Sequence, residues 1–544
     1  MTARPFLTLS IVSLAALGGA IAASGCSTDL CNYVACVEGT GGAGGMTSSS
    51  TSTATGTTGT TTGASMTSSS TGVMPGCELT EGMAIEATCG VFVKAGPTNG
   101  DGSQASPFNT ISAAVAAHPN QAISIYVCGT DTFDEAVNLG ASSLRGGLTC
   151  ADWKFSATNG RPTIEGPPDL IAVTSIAMAG QSRVIDSMII HSPAAVSPGA
   201  SSIGLLVFEG DMLIARSKIT AEAGAKGKKG TDGGAQGPAS MGGLPGKNAC
   251  GAIIPTPPGS TIIQSCNGMA GASLGGSGGN GDIGNGSDGS PGSAGGLGQK
   301  GIGEPGSGSW SCSGGGNGTG GADGSPGMVG LSGTDKGTLS VSGFTPLPGG
   351  DGDPGVNGQG GGGGGGAKGL IDCDPVAMGN QTGPGASGGS GGAGGCGGLP
   401  GGGGVGGGSS FAVVALQAAL SFSGMTSLAS GPGGIGGDGG IAQPGASGGT
   451  GASGGMGVAG SKNACRGGDG GQGGNGGGGG GGRGGHSASV VYVGTAPNPL
   501  GATFGQAPSD AAGGIGHGNP NGGNNGMSGV SCKILDFAGE TCAM

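Results

Sequence analysis

Arg183, Asp186, His191, Asp211 and Arg216 have the residue types needed for acid/base chemistry on a sugar bond. Such chemistry places two carboxylates, or a carboxylate and a base, around the scissile oxygen. A plainer use of the same residues competes with it. Asp186-Ser187-Met188-Ile189 recurs as Arg216-Ser217-Lys218-Ile219 thirty residues later. In a repeating fold with that register, Asp186 stacks over Arg216 and the two form an ion pair. No catalytic residue is therefore assigned. Calcium-binding nonapeptides follow G-G-x-G-x-D-x-U-x, with U a large apolar residue. Gly433 to Asp438 fit this pattern, which then fails at Gly440. Zinc sites need clustered Cys or His, but CxxC is absent and the four histidines are scattered. No phosphate loop of the GxxxxGK[ST] kind occurs. No metal or cofactor is expected. The densest basic cluster, Lys226, Lys228 and Lys229, falls short of a nucleic-acid footprint, so no nucleic-acid partner is expected either.

The elements that would hold these residues lie in a chain of two unlike halves. Of 143 glycines, 28 fall in residues 1–223 and the rest in 224–544. Charged residues make up 9% and aromatics 3%, with net charge −12. Only the first half can bury a conventional core. Within it, 91–93, 123–127, 171–173, 184–185 and 205–208 are short β-rich runs bounded by Gly, Pro, Asn and Asp. Thr110 to Ala117 reads as a helix that stops at His118-Pro119. Residues 46–71 are almost wholly Ser, Thr, Gly and Ala, a linker that cannot offset its ordering entropy.

The N-terminus has the parts of an export signal: Arg4, an apolar run from Phe6 to Ala22, then small residues before Cys26. Ala23-Ser24-Gly25-Cys26 resembles a bacterial lipobox, with Ala23 where that motif usually has Leu. The resemblance implies a diacylated Cys26 as the mature N-terminus, anchored to a membrane, at the outer membrane or cell surface. An ordinary cleaved signal with a free or bridged Cys26 is the alternative. Fifteen cysteines less Cys26 leave an even number, as an oxidising compartment favours. Neighbours in sequence suggest Cys31 with Cys36, Cys77 with Cys89, Cys128 with Cys150, and Cys532 with Cys542. Spacing alone does not fix connectivity.

VFVKAGPTNGDGSQASPFNTISAAVAA (91–117), followed by ISIYVCGTDTFDEAVNL (123–139), resembles the opening of secreted right-handed parallel β-helix proteins of the pectate-lyase-like fold. In that family a strand, a Gly/Asn/Asp loop and a Pro-Phe-x-Thr-Ile step lead into a helix that caps the open end. The resemblance implies a fold, not an activity. Repeats point the same way. Leu339 to Thr345 recurs as Leu420 to Thr426, and Lys247-Asn-Ala-Cys250 as Lys462-Asn-Ala-Cys465. Apolar islands near 205, 340, 414 and 491 are expected to stack as successive turns, several entered through serine at 201–202, 409–410 and 487.

The glycine tracts between the islands break the every-third-residue frame that collagen requires. Their Gly-Gly-X triplets, as in GGDGGQGGNGG (467–477), resemble PGRS-type sequence. A period of three suits extended polyglycine-II helices that exchange backbone hydrogen bonds; a disordered, solvated tract is the alternative. The expectation is an all-β protein, a right-handed parallel β-helix with glycine-rich insertions. Its parts are a signal peptide (1–25), an anchor and linker (26–76), the N-terminal β-helix with its capping helix (77–223) and a glycine-rich region with further turns (224–544). The expected role is non-catalytic: a surface structural or adhesion-type lipoprotein whose partners are a membrane and polysaccharide or extracellular matrix. A secreted polysaccharide lyase or hydrolase is the alternative.

Overall fold

The computed structural model describes residues 77–251, 255–266, 272–293, 297–370, 373, 382–518 and 523–543. Three largely parallel sheets dominate them. The first contains Val91–Val93, Ser124–Cys128, Ser143–Leu148, Ser182–Asp186, Asp211–Ala215 and Ala419–Ser423. The second contains Thr132–Asp134, Thr163–Glu165, Ile189–Ser192, Lys218–Ala221, Thr426–Ser430 and Ala502–Phe504. The third contains Val137–Asn138, Ile171–Ile176, Ser202–Phe208, Ser410–Leu416, Ser487–Val493 and Ser531–Asp536, closed by antiparallel Thr541–Ala543. From residue 124 the chain visits first, second and third sheet in that cyclic order, until the last passage skips the first sheet.

Alternation places every second residue of these strands in a shared core. Ile125, Leu144, Ile185 and Ile214 come from the first sheet, Ile164, Ile190, Ile219 and Leu428 from the second, and Val173, Leu205, Val413 and Val490 from the third. All are fully buried, and each such side chain contributes about 1.5–3 kcal/mol. The third sheet is covered on its other face too. There Ile203, Leu206, Phe411, Val414 and Val491 form a second cluster. Burial on both faces explains why 203–208 and 411–416 read as nearly unbroken apolar runs rather than alternating ones.

The helix Ile111–Ala117 begins at Thr110, whose hydroxyl accepts the Ala113 N–H at 3.0 Å. Glu135 completes the cap: its carboxylate oxygens accept the Ile111 and Ser112 N–H groups at 2.9 and 3.0 Å. A carboxylate there also offsets the helix dipole. The helix buries Ile111 and Ala114 in the shared core.

Two sequence expectations need correction. Asp186 lies opposite Ala215, not Arg216, so successive passages are 29 residues apart, not thirty. The corner fixes this register. Ser187, Arg216 and Gly424 each turn the chain out of the first sheet in the left-handed region, at φ of 57°, 44° and 60°. Second, the island near 340 does not join the stack. Leu420 to Thr426 spans two parallel strands, whereas Thr338–Ser340 and Gly343–Thr345 pair with each other as an antiparallel hairpin. Glycine tracts flank that hairpin, so it has no adjacent strand to extend. It packs Leu339 and Phe344 on the outer cluster of the third sheet instead. The other islands do stack: Ser202, Ser410, Ser487 and Ser531 are in register, as are Leu205, Val413, Val490 and Ile534. The lysine-asparagine-alanine-cysteine copies are not strands; Ala249 donates to Met456 and Ala464 to Gly455 of one tract, whereas Cys250 and Cys465 donate to Pro384 and Gly365.

The long glycine segments all leave from one corner. They connect the second sheet to the third, after Ala221, Ser430 and Phe504, and return before Ser410, Ser487 and Ser531. In the earlier passage the same corner is only 193–201. Adjacent strands are thereby separated by a long detour: Leu205 lies beside Val413, 208 residues further on.

Candidate functional site

The five residues with catalytic potential do not converge. Arg183 shares the inward parity of Ile185 and lies beside Met212. It is 1% exposed, donates to Ser175 Oγ at 2.8 Å and to the Glu209 carbonyl, and so ties two sheets together. Burial lowers its pKa to about 10, with Asp211 acting against that shift, so it stays charged at neutral pH. Asp186 and Arg216 form the ion pair expected from the sequence, with Arg216 Nε donating to Asp186 Oδ1 at 2.9 Å. The Arg216 guanidinium also lies 4.8 Å from the Phe155 ring centroid. His191 belongs to the second sheet.

Two partners of His191 were not singled out from sequence. Its Nδ1 lies 2.7 Å from Glu165, and its Nε2 lies 3.3 Å from Glu222. Glu165 is the register partner of His191, 26 residues earlier, and Glu222 lies two residues beyond its partner on the next strand, Thr220, a signal readable only once the register is known. The two carboxylates sit on opposite ring nitrogens and so cannot chelate one ion. Among the described residues no group of three or more His, Cys, Asp or Glu could hold a metal.

The glycine tracts form an ordered array of extended chains joined through their backbones. Three consecutive N–H groups show the principle. Gly361 donates to Gly392, Gly362 to Thr319 and Gly363 to Ser290, three different tracts, at 2.8–3.0 Å. Gly479, Gly480 and Gly481 likewise donate to Gly440, Gly350 and Asn524, each at 2.9 Å. This is three-fold geometry: successive residues face neighbours about 120° apart, as in a helix of three residues per turn. A Cβ built on Gly361, Gly362 or Gly363 would collide with the carbonyl of Gly468, Gln299 or Ser277. Runs of pure glycine, 360–366 and 476–482, therefore occur where all three ridges are covered. Outer tracts keep Gly-Gly-X because one ridge meets water, as at Ile435 and Ile441, both about half exposed.

Acidic and amide side chains at X positions also serve the array. Asp232 accepts the Ile441 N–H, Asp323 the Gln472 N–H, Asp469 the Gly451 N–H and Asn248 the Met456 N–H, at 2.7–2.9 Å. Each satisfies a donor that no neighbouring carbonyl reaches. Asp438, in the near-match to the calcium repeat, accepts the Ile515 N–H at 2.9 Å and faces Lys226 at 3.8 Å. The Gly303 N–H and Lys300 hold the Asp288 carboxyl below its ordinary range.

No protein family, curated protein or solved structure matches the chain. The structure joins Cys77 to Cys89, Cys128 to Cys150 and Cys532 to Cys542. It also joins Cys250 to Cys373, Cys266 to Cys396 and Cys312 to Cys465, across 123, 130 and 153 residues. Sequence proximity could not suggest these three, because the array brings distant tract ends together. Six bridges fit an oxidising compartment. Cys26, Cys31 and Cys36 lie outside the described residues. Among those described, no helix is long and apolar enough to cross a membrane.

Proposed function

We propose that the chain is an exported surface lipoprotein with a structural or adhesive role. In this reading the three sheets are the faces of a right-handed parallel β-helix, and a polyglycine-II lattice grows from one of its corners. Lipid on Cys26 holds the protein at the outer membrane or cell surface. The Ser/Thr/Gly linker spaces it from the bilayer by roughly 40 Å, from ~5–6 Å × √n over its length. The partners are that membrane and, on the outside, polysaccharide or matrix.

The observation that carries this reading is the use of polar groups. Asp186, Arg216, Asp232, Asp323, Asp438 and Asp469 are all engaged in ion pairs or in bonds to neighbouring backbone. The array turns a flexible composition into a stiff one, with outward side chains spaced about 9 Å apart along each tract, three residues at ~3.1 Å each. A regular, stiff display of that kind suits scaffolding or adhesion. The test is a glycan array with a polysaccharide-degradation assay on the purified mature protein. Binding without turnover is expected; turnover would assign an enzyme and end this reading.

A further inference from the structure

The outer face of the first sheet carries an arginine that no carboxylate pairs with among the described residues. Tyr126, Arg145, Asp186 and Ala215 lie in register along it. Asp186 is 4% exposed, and its carboxylate is taken by Arg216 from the far side and by Ser187 Oγ at 3.0 Å. Arg145, its neighbour on the near side, is 8% exposed. The Arg145 Nε meets no hydrogen-bond partner, and no carboxylate pairs with the guanidinium among the described residues. Two guanidinium groups thus flank one carboxylate, and Arg145 is the one left without an ion-pair partner. A buried, unpaired cation is costly, and folds retain one where something pairs with it.

Arg145 borders an open cleft of about 600 Å³ on this face. Ser124, Ser143, Ser182, Asp211, Val184 and Leu213 also line it. Ser143 Oγ already accepts the Val184 N–H at 3.0 Å, so its own proton is free to donate into the cleft. We propose that this cleft binds a hydroxylated monocarboxylate, its carboxylate on Arg145 and its hydroxyls on the serines. Arg183 also lines the cleft, but its guanidinium is engaged by Ser175 and the Glu209 carbonyl, so Arg145 offers the planar fork that matches a carboxylate edge-on. Asp211 in the same cleft disfavours a dianion such as phosphate. The small apolar side chains of Val184 and Leu213 leave room for a carbon chain. This site is independent of the surface role proposed above.

The experiment is calorimetric titration of the full-length mature protein with gluconate, lactate and acetate. Sorbitol serves as the uncharged counterpart of gluconate, and sulfate as an anion without the planar fork. Gluconate is expected to bind, sorbitol not at all, and sulfate more weakly than gluconate. Arg145→Gln should lower gluconate affinity at least tenfold, the loss of one charge-assisted fork. Arg145→Met should abolish binding and leave the melting temperature of the free protein unchanged or higher, because it removes an unpaired charge. Three results each overturn the proposal. They are no carboxylate binding up to about 10 mM, sulfate binding as tightly as gluconate, and a lower melting temperature for Arg145→Met, which would mean that the arginine already has a structural partner.

Discussion

Gly363→Ala adds one methyl group where the array has no space for it. The added carbon falls on the Ser277 carbonyl oxygen, far inside the roughly 3.5 Å at which carbon and oxygen meet comfortably. That oxygen is backbone and already accepts the Ser290 N–H at 2.8 Å, so it cannot swing away like a side-chain tip. Relief requires the tract to move, which strains three bonds: Gly362 to Thr319 at 3.0 Å, Gly363 to Ser290 at 2.8 Å and Gly364 to Gly389 at 2.9 Å. At about 0.5–1.5 kcal/mol each, and more where buried groups end up unpaired, the loss is about 3–4 kcal/mol. Alanine returns about 0.4–1 kcal/mol by restricting the unfolded chain. The net destabilisation is about 2–4 kcal/mol. Hydrogen exchange under increasing urea, read at the amides of 361–366, measures it. Ile435→Ala, on an outward ridge, is the control and should cost under about 0.5 kcal/mol. Equal protection in the two variants would refute the lattice account, because a loose tract absorbs a methyl group without penalty.

His486 reports on acid. It is fully buried, its Nδ1 accepts the Val530 N–H at 3.1 Å, and its Nε2 therefore donates to the Lys336 carbonyl at 3.0 Å. Burial lowers its pKa, opposed by the bond to the Lys336 carbonyl and by Glu540 and aided by the charges of Arg483 and Lys336. The unfolded chain then takes up the proton first, so stability is complete above about pH 6.5 and declines as pH falls through the histidine range. Melting temperatures at pH 7 and pH 5 should show this drop in the native protein and a flatter profile in His486→Gln. Replacing Cys312 and Cys465 with serine reopens a 153-residue loop and should cost about 2–5 kcal/mol. Peptide mapping without reductant checks the bridge, and a thermal scan that does not change would contradict its role. Cys26→Ser should move the protein from the membrane fraction to the soluble one; retention in the membrane would argue against a lipid on that cysteine.

Local signals carried well. Val91–Val93 and the helix after Thr110 have the boundaries their residues suggest, because β-branched runs and a hydroxyl cap act within a few residues. Serine entries into the apolar islands predicted equivalent positions, and three of them align in register. What sequence could not show was long-range. Leu339 to Thr345 and Leu420 to Thr426 share a pattern but differ in neighbours, and a strand's fate depends on what lies beside it. The glycine tracts left order and disorder open, since composition alone does not say whether a covering tract exists. Pure-glycine stretches such as 360–366 were the unread signal, for a tract with one ridge in water has no need of glycine there. At the charged sites, Arg145 escaped notice because its isolation emerges only when Asp186 is seen to belong to Arg216.

The placement of Leu205 beside Val413 has a cost during biosynthesis. At ~5–20 residues/s, the ribosome needs roughly 10–40 s to supply the strand that covers Ser202–Phe208. Through that interval a flat, apolar β-edge has no mate, which is the state most prone to pairing with another chain. A cell making this protein must shield its nascent chain at that stage or thread it outward before the edge can find a stranger.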